Sequence, residues 1–393
     1  MAYTFAASDP RVRRHCESFA RRGWRVYQLG LGNLGDTRVA RLNGVVLVRW
    51  LRPRYRGKRL LAYAAAYAGF FLWARSILRR LSRRRPLRVV QANNIPCAVV
   101  WVTSRPRRLG TGVVLDIHDP EPELARSKFG DGLGARALAR VLELEERLAA
   151  ARADVVLCVH EEHAAATRRH GVRHPRLRCV VNCADERLFP LLPPRLSSPR
   201  LVYHGTVAAR MGLDVVLRAV RELRDGGRDV TATILGDGDA VPALRALGDE
   251  LGLAGAVQLT GERFLPEALG LLLGRAGLGI VPLRRDPITD LMLPTKLLEY
   301  VRLGIPAVVA WTPTISRYFP EGTVHFVREF SQRSVAEAIG SALADPEGSR
   351  ERAARAQTLP IAQPWQAHED SYIGHVLEAA AAGALRRPQA RVS

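Results

Sequence analysis

Short apolar runs without internal alternation recur along the chain, and amphipathic stretches of helical period separate them. Runs of the first kind predict strands buried on both faces. They fall at residues 24–29, 45–49, 87–92, 113–117, 154–159 and 178–181, then at 200–203, 230–235, 257–260, 278–282, 307–310 and 323–327. Helical periodicity is clearest over 134–151, 212–224, 240–251 and 331–344. Alternation of this kind predicts an α/β chain of doubly wound, Rossmann-like parallel sheets.

Between the two series of strands, Pro190 to Pro199 holds four prolines in ten residues and is the natural linker. The expected organisation is an N-terminal domain over residues 1–190, a linker over 191–199 and a C-terminal domain over 200–364. A helix over 365–384 is expected to pack back on the N-terminal domain, with a disordered tail over 385–393. Polar residues cluster where strands end: Asn93 and Asn94, His118 and Asp119, Asn182, His204 to Thr206, Gly236 to Gly238, and the loop from Arg284 to Lys296. Ligands of open α/β sheets bind outside the carboxyl ends of the strands, so both domains are expected to turn these ends toward one central cleft.

The stretch Leu291 to Pro306 (LMLPTKLLEYVRLGIP) carries the strongest chemistry. A helix is expected to open at Pro294-Thr295-Lys296 and close at Gly304. Its first turn offers unpaired N–H groups, the positive end of the helix dipole and a lysine, a combination that holds a diphosphate. Glu299 lies three residues on, on the same face, where it can accept hydrogen bonds from ribose hydroxyls. The plainer alternative is a surface helix with a Lys296–Glu299 ion pair. Lysine usage bears on the choice: Lys58, Lys128 and Lys296 are the only lysines among 59 basic residues, so a lysine at this helix start suggests a site that wants a compact ammonium.

Composition narrows the class. At 393 residues, 47% hydrophobic and 25% charged, the chain is globular and long enough for two cores. Five cysteines, odd in number and mostly in apolar runs, read as buried thiols of a reducing cytoplasm. His160-Glu-Glu-His163 is one residue short of the HExxH zinc pattern, and Gly30-Leu-Gly32-Asn-Leu-Gly35 leads into another strand where a dinucleotide site requires a helix. Both are read as structural, and Asp237-Gly-Asp239 is read as a strand-to-helix turn that requires no metal. The net charge of +21 implies an anionic partner, membrane or nucleic acid, while 6% aromatic residues offer few platforms for stacking single-stranded RNA. Residues 60–74 (LLAYAAAYAGFFLWA) carry no charge and lie between arginine clusters. They suit a membrane-interface helix over about 60–81 and equally a buried helix of the first domain, and the two are compatible if each claims one face.

In their order along the chain these motifs resemble the group 1 glycosyltransferases (family 4, GT-B fold). The resemblance rests on Asp9-Pro-Arg-Val12, Asp116-Ile-His-Asp-Pro-Glu-Pro-Glu123 and Val181-Asn-Cys-Ala-Asp-Glu-Arg-Leu-Phe189 in the first half. In the second half it rests on Tyr203-His-Gly-Thr206 with Arg210-Met-Gly-Leu-Asp214, Ile234-Leu-Gly-Asp-Gly238, Val257-Gln-Leu-Thr-Gly261, Pro294-Thr-Lys-Leu-Leu-Glu-Tyr300 and Gly304-Ile-Pro306. It implies a GT-B chain of two Rossmann-like domains that retains anomeric configuration and needs no cofactor or metal. By motif, Lys296 with the Pro294–Thr295 turn and Arg210 would hold the donor diphosphate and Glu299 the ribose. Gly205, Thr206, Gly236 and Asp290 would complete the donor pocket, and His118 would touch the donor sugar. Glu121, Glu123 and Lys128 would face the acceptor, or, for the two acids, simply open a helix. The pattern departs from the family at Leu291, where many relatives carry a second glutamate, at Thr206, where a basic residue is usual, and in the short first strand within residues 1–7, which lacks the usual glycine-rich acceptor loop.

The expected function is therefore transfer of a sugar from a nucleoside-diphosphate sugar to a lipid-linked or cell-envelope glycan, by a protein held peripherally on the anionic inner face of the plasma membrane, with no nucleic acid partner. The alternative, from a different class, is a catalytically silent GT-B scaffold that binds nucleic acid or another polyanion through its basic face.

Overall fold

The twelve strands expected from residue 24 onward form, while within residues 1–6 only Phe5 makes an isolated bridge, to Leu31; the order in which the strands pair determines which polar loops become neighbours. The computed structural model describes residues 1–6, 9–53, 55, 60–130, 132–195, 198–262, 264, 266–274 and 276–387. Residue 7 of the expected first strand, most of the 54–59 end of a basic run, residues 196–197 of the proline-rich stretch and 388–393 of the tail lie outside the described residues. The chain divides into two compact units, Met1–Asn182 with His368–Ser393, and Cys183–Ala367.

In the first unit the strands are β1 (Val26–Gly32), β2 (Val39–Leu42), β3 (Val45–Leu51), β4 (Val89–Asn93), β5 (Gly112–Ile117), β6 (Val155–Cys158) and β7 (Leu177–Cys179), paired as β1-β3-β2 and β4-β5-β6-β7. Residues 1–6 join the two sets. The Ala2 N–H donates to Leu29 O (3.1 Å), the Leu31 N–H to Thr4 O (2.8 Å) and the Asn93 N–H to Met1 O (2.9 Å), so this segment bridges the two sheets. Only β2 runs antiparallel, against β3 across the turn at Asn43-Gly44. The glycines of the Gly30–Gly35 motif sit in β1 and the turn after it, and no helix follows them.

The second unit has β8 (Arg200–His204), β9 (Thr231–Leu235), β10 (Val257–Leu259), β11 (Leu278–Val281), β12 (Ala307–Ala310) and β13 (His325–Val327). They are all parallel, in the order β10-β9-β8-β11-β12-β13. The winding reverses between β8 and β11, and the crevice beyond that reversal is where a doubly wound sheet binds ligands.

The division at Asn182 moves the expected boundary at 190, and the proline-rich stretch belongs to the second unit rather than lying between units. Its backbone is fastened there: the Leu192 N–H donates to Arg302 O (2.8 Å), the Arg195 N–H to Gly304 O (2.9 Å), and Arg302 Nε to Phe189 O (2.7 Å). Proline spacing advertises a linker but cannot show that the flanking N–H groups have found partners. Similarly, Leu385–Arg387 of the expected tail are held, with Arg386 Nη2 2.6 Å from Asp154 Oδ2.

The helix Trp365–Ala384 enters the first unit at His368. There Tyr372 stacks on His15 at 4.0 Å and donates to Gln91 Oε1 (2.8 Å), Glu369 pairs with Arg21 and Arg22, and Gly112 leaves room for the carbonyl of Ala379. The helix Leu60–Arg84 buries Phe70, Ala74 and Leu78 in the first core and exposes Leu61 and Leu72 on its other side. Among the described residues it is the one helix long and apolar enough to cross a membrane by length and composition, but that buried face commits it to the protein.

A charge anchors the strand ends of the first unit. Arg11, in the helix Pro10–Arg21, is buried and grips Asp116 at the end of β5 with Nε–Oδ2 2.9 Å and Nη2–Oδ1 2.8 Å, while its Nη1 donates to Val180 O (2.8 Å) and Asn182 Oδ1 (2.9 Å). Burial alone would raise the Asp116 carboxyl, but the charge and hydrogen bonds of Arg11 outweigh it and hold the group at about 2, against an ordinary 3.8. A depressed carboxyl contributes stability that is full above its unfolded value and fades as pH falls through the folded one, here from near 4 down to about 2. That contribution is about 2 kcal/mol. Asp116→Asn strands the buried guanidinium and is expected to cost about 3–5 kcal/mol at neutral pH in denaturant titrations, a difference from wild type that narrows as pH approaches 2.

Candidate active site

The two loops flanking the reversal point carry most of the expected site. β8 ends at His204 and continues into Gly205 to Arg210; β11 ends at Val281, and its loop leads to the helix Thr295–Arg302. Pro294 occupies the N-cap with φ −67° and ψ 125°, and Leu297, Leu298, Tyr300 and Val301 bury the inner face of that helix. Among the described residues no side chain caps it; the Leu297 N–H turns back to Pro294 O (3.0 Å), and the Thr295 and Lys296 N–H groups are left for a ligand. The loop before it is braced: Asp286 Oδ1 accepts from the N–H groups of Ile288 (2.9 Å) and Thr289 (2.8 Å), and buried Thr289 donates to Arg284 O (2.6 Å).

Lys296 is buried with its Nζ 4.0 Å above the ring of Tyr203, whose hydroxyl donates to Thr206 O (2.5 Å). Gly205 has φ +118°, and a Cβ there would stand 3.5 Å from Lys296 Cε and Nζ, so glycine keeps the backbone open beside the ammonium. Gly236, expected to touch the ligand, has a packing role, since a Cβ on it would lie 1.9 Å from Gly205 O. It lets the Gly205 turn rest on the end of β9.

The ordinary Lys296–Glu299 ion pair does not form. Glu299 Oε2 instead lies 2.9 Å from His204 Nε2, close enough for charge pairing but off the in-line angle of a hydrogen bond. Both atoms, and Arg210 Nε, are buried without a hydrogen-bond partner among the described residues. Each unsatisfied buried group costs about 1–3 kcal/mol, a cost that an incoming polar ligand removes. His204 is held edge-on to Tyr300 at 5.3 Å, and Tyr300 donates to Val202 O (3.2 Å). His204 stands out in the sequence as one of the polar residues that close apolar strands, but its pairing with Glu299 is not legible there.

Two expected donor contacts are placed differently. The Asp290 carboxylate is already engaged by Arg285, with Nη2–Oδ2 at 2.8 Å, and Thr206 is exposed and linked to the site through its carbonyl. Thr295 is exposed at the open helix end, where its N–H is available.

His118 belongs to the first unit, at the end of β5. Its N–H donates to Asn94 Oδ1 (2.9 Å), and its Nδ1 is buried without a partner among the described residues. The acids expected on the acceptor side are structural. Buried Glu121 accepts from the Cys97 N–H (2.8 Å), and burial, helped by nearby Glu145, pushes its carboxyl well above the ordinary value. Glu123 sits 2.9 Å from His170 Nε2, with Glu146 3.1 Å from Nδ1. Burial opposes a charge on His170, but the hydrogen bonds to Glu123 and Glu146 outweigh it and hold the ring at about 9. Only Lys128 is exposed, its Nζ 3.5 Å from the hydroxyl of Tyr63. His160 and His163 cap and fill a helix start, and the described residues contain no group of three or more His, Cys, Asp or Glu arranged for a metal.

Residues 198–345 match the family model of glycosyl transferases group 1, and residues 8–183 match that of the glycosyl transferase 4-like domain. The alpha-D-kanosaminyltransferase of Streptomyces kanamyceticus is 30% identical over 169 residues, which span 42% of this chain and 42% of that relative. Among solved structures, sucrose-phosphate synthase from Thermosynechococcus elongatus superposes with a TM-score of 0.74 at 17% identity, covering 96% of this chain and 97% of the other. The Anabaena protein HepE in complex with UDP and glucose gives 0.67 at 14% identity, covering 97% and 98%. At these identities the structural likeness is one of fold.

Gly236→Ala is expected to destabilise the second unit by about 1–3 kcal/mol in denaturant melts, because the added methyl drives the Gly205 turn off the end of β9.

Proposed function

We propose a function from one premise: the chain belongs to the group 1 glycosyl transferases and has their GT-B fold of two Rossmann-like domains. It transfers a sugar, with retention of anomeric configuration and without a metal, from a nucleoside-diphosphate sugar to a lipid-linked or cell-envelope glycan at the cytoplasmic face of the membrane.

One observation carries the donor half of this reading. At the reversal point of the second sheet, an uncapped helix end, a buried ammonium and an open glycine turn lie together, next to buried polar atoms that lack partners. The diphosphate takes the Thr295 and Lys296 N–H groups and the Lys296 ammonium, with Arg210 as a second cation. Glu299 takes the ribose hydroxyls. Negative charge grows on the departing diphosphate in the transition state, and donors already in position stabilise it without reorganisation. The two side-chain cations and the helix end supply the countercharge that a metal supplies elsewhere. His118, at its own strand end with Nδ1 unpaired, is the first unit's candidate for the sugar. Support from relatives is of the same kind: HepE was solved with UDP and glucose, and the kanosaminyltransferase is named for moving a sugar.

The acceptor half rests on the helix Leu60–Arg84. One side joins the core, and the other exposes Leu61 and Leu72 followed by Arg75, Arg79 and Arg83. Apolar side chains beside arginines suit the headgroup layer of an anionic bilayer, where a lipid-linked acceptor resides.

UDP, GDP and ADP are to be tested by thermal shift with and without chelator. One nucleotide, at about 100 times its dissociation constant, is expected to stabilise by about 2.7 kcal/mol, a shift of a few degrees that survives the chelator. Glu299→Ala and Lys296→Ala should each abolish most of that shift. Absence of a shift with all three nucleotides, together with steeply salt-dependent binding of DNA, would sink the transferase reading in favour of a silent polyanion-binding scaffold. His204→Ala is expected to narrow the preference for the responding nucleotide over its 2′-deoxy form, since Glu299 loses the neighbour that orients it.

A further inference from the structure

The helix Leu133–Arg152 carries apolar side chains on its outward face as well as its inward one. Its buried face has Ala135, Ala139, Ala149 and Ala150 with Glu146, flanked by half-buried Leu138 and Leu142, while four other large apolar residues face solvent. Leu133 is 85% exposed, Val141 60%, Leu144 44% and Leu148 51%. Val141, Leu144 and Leu148 follow one another at helical spacing and form a single stripe. Scattered exposed leucines need no explanation, but a contiguous stripe on one helix marks an interaction surface.

Its neighbours continue the surface. Ala98 donates its N–H to Glu145, and Arg152 Nη2 lies 3.1 Å from Ser104 Oγ, so the segment Cys97–Thr103 runs alongside the second half of the helix. Trp101, itself exposed, lies on that segment. The same segment packs against the helix Leu60–Arg84, and the Lys128–Tyr63 contact ties the start of that helix to the residues just before Leu133. Exposed arginines accompany both helices, Arg140 and Arg147 on one, Arg79 and Arg83 on the other.

We propose that Leu133–Arg152 is a second lipid-contact element, whose outward stripe joins Trp101 and the exposed side of Leu60–Arg84 in one surface that docks on an anionic bilayer. This rests on the membrane reading above and extends it to residues that reading does not use. The charge selects the occupant. A second copy meeting this face about a two-fold axis would set arginine against arginine, whereas lipid phosphates accept guanidinium groups at the rim while leucine and tryptophan enter the acyl boundary. Two anchoring elements hold a protein on a bilayer more firmly than one.

The test is sedimentation with vesicles of phosphatidylcholine alone or mixed with phosphatidylglycerol, at low and high salt. Wild type is expected to bind the anionic vesicles and to leave them as salt rises. Leu144→Asp with Leu148→Asp should weaken that binding by at least about tenfold, and the milder serine pair should weaken it less. Leu271→Asp, at a still more exposed leucine of the second unit, serves as the control and should leave binding unchanged. The nucleotide-induced thermal shift reports that each variant is folded. Full vesicle binding by the Leu144/Leu148 variants overturns the proposal, as does equal binding to neutral vesicles. A wild-type dimer that these variants dissociate, without vesicle binding, overturns it in favour of a second copy. Wild type that responds to nucleotide but ignores vesicles removes the surface and leaves the transferase reading standing; vesicle binding without any nucleotide response does the reverse.

Discussion

A single buried guanidinium organises the carboxyl-end edge of the first unit's sheet. Burying an arginine with an aspartate is costly unless every donor is used, and Arg11 uses three nitrogens on four acceptors: both Asp116 oxygens, Val180 O and Asn182 Oδ1. It thereby fixes the first helix to the ends of β5 and β7. Gln91 at 3.4 Å and His15 at 3.7 Å also face Asp116, so the last helix, stacked on His15 through Tyr372, is held to the same point. His118 begins two residues beyond Asp116, and its position is a consequence of this anchor and of the Asn94 side chain that holds its backbone.

The second unit reaches a comparable precision by backbone approach. Glycine at 205 and 236 lets two strand-end turns touch, and that contact sets the floor beneath Lys296. The side chains above are left incomplete: Lys296 rests on an aromatic face, and Glu299 meets His204 at an angle that satisfies neither. A folded chain tolerates such a deficit where ligand binding repairs it. Arg285 and Asp290, by contrast, are already satisfied by each other, which places them at the margin of the chemistry.

The first unit's acids illustrate the opposite outcome. Glu121 and Glu123 occupy the first turn of a helix directly after His118, and by position alone they look as available as His118. They are consumed by the Cys97 N–H and by His170, groups 24 and 47 residues away in sequence. The next helix, Leu133–Arg152, carries the outward stripe, with its alanines and Glu146 turned to the core.

Much of the architecture was legible from local pattern. Apolar runs without alternation marked the buried strands, Pro294 and Gly304 bracketed the helix that carries Lys296 and Glu299, and the strand-then-strand course after Gly35 excluded a dinucleotide turn. These features depend on neighbours within a few residues, and so the sequence by itself determined them. Partners distant in the chain were decided only in three dimensions: that His204 meets Glu299, that Arg11 claims Asp116 and Asn182, that Glu121 and Glu123 are buried, and that the proline-rich stretch is fastened to Arg302 and Gly304. A residue's type states which bonds it can make. Which of them it makes depends on the strand order and helix packing that bring one particular distant group within about 3 Å.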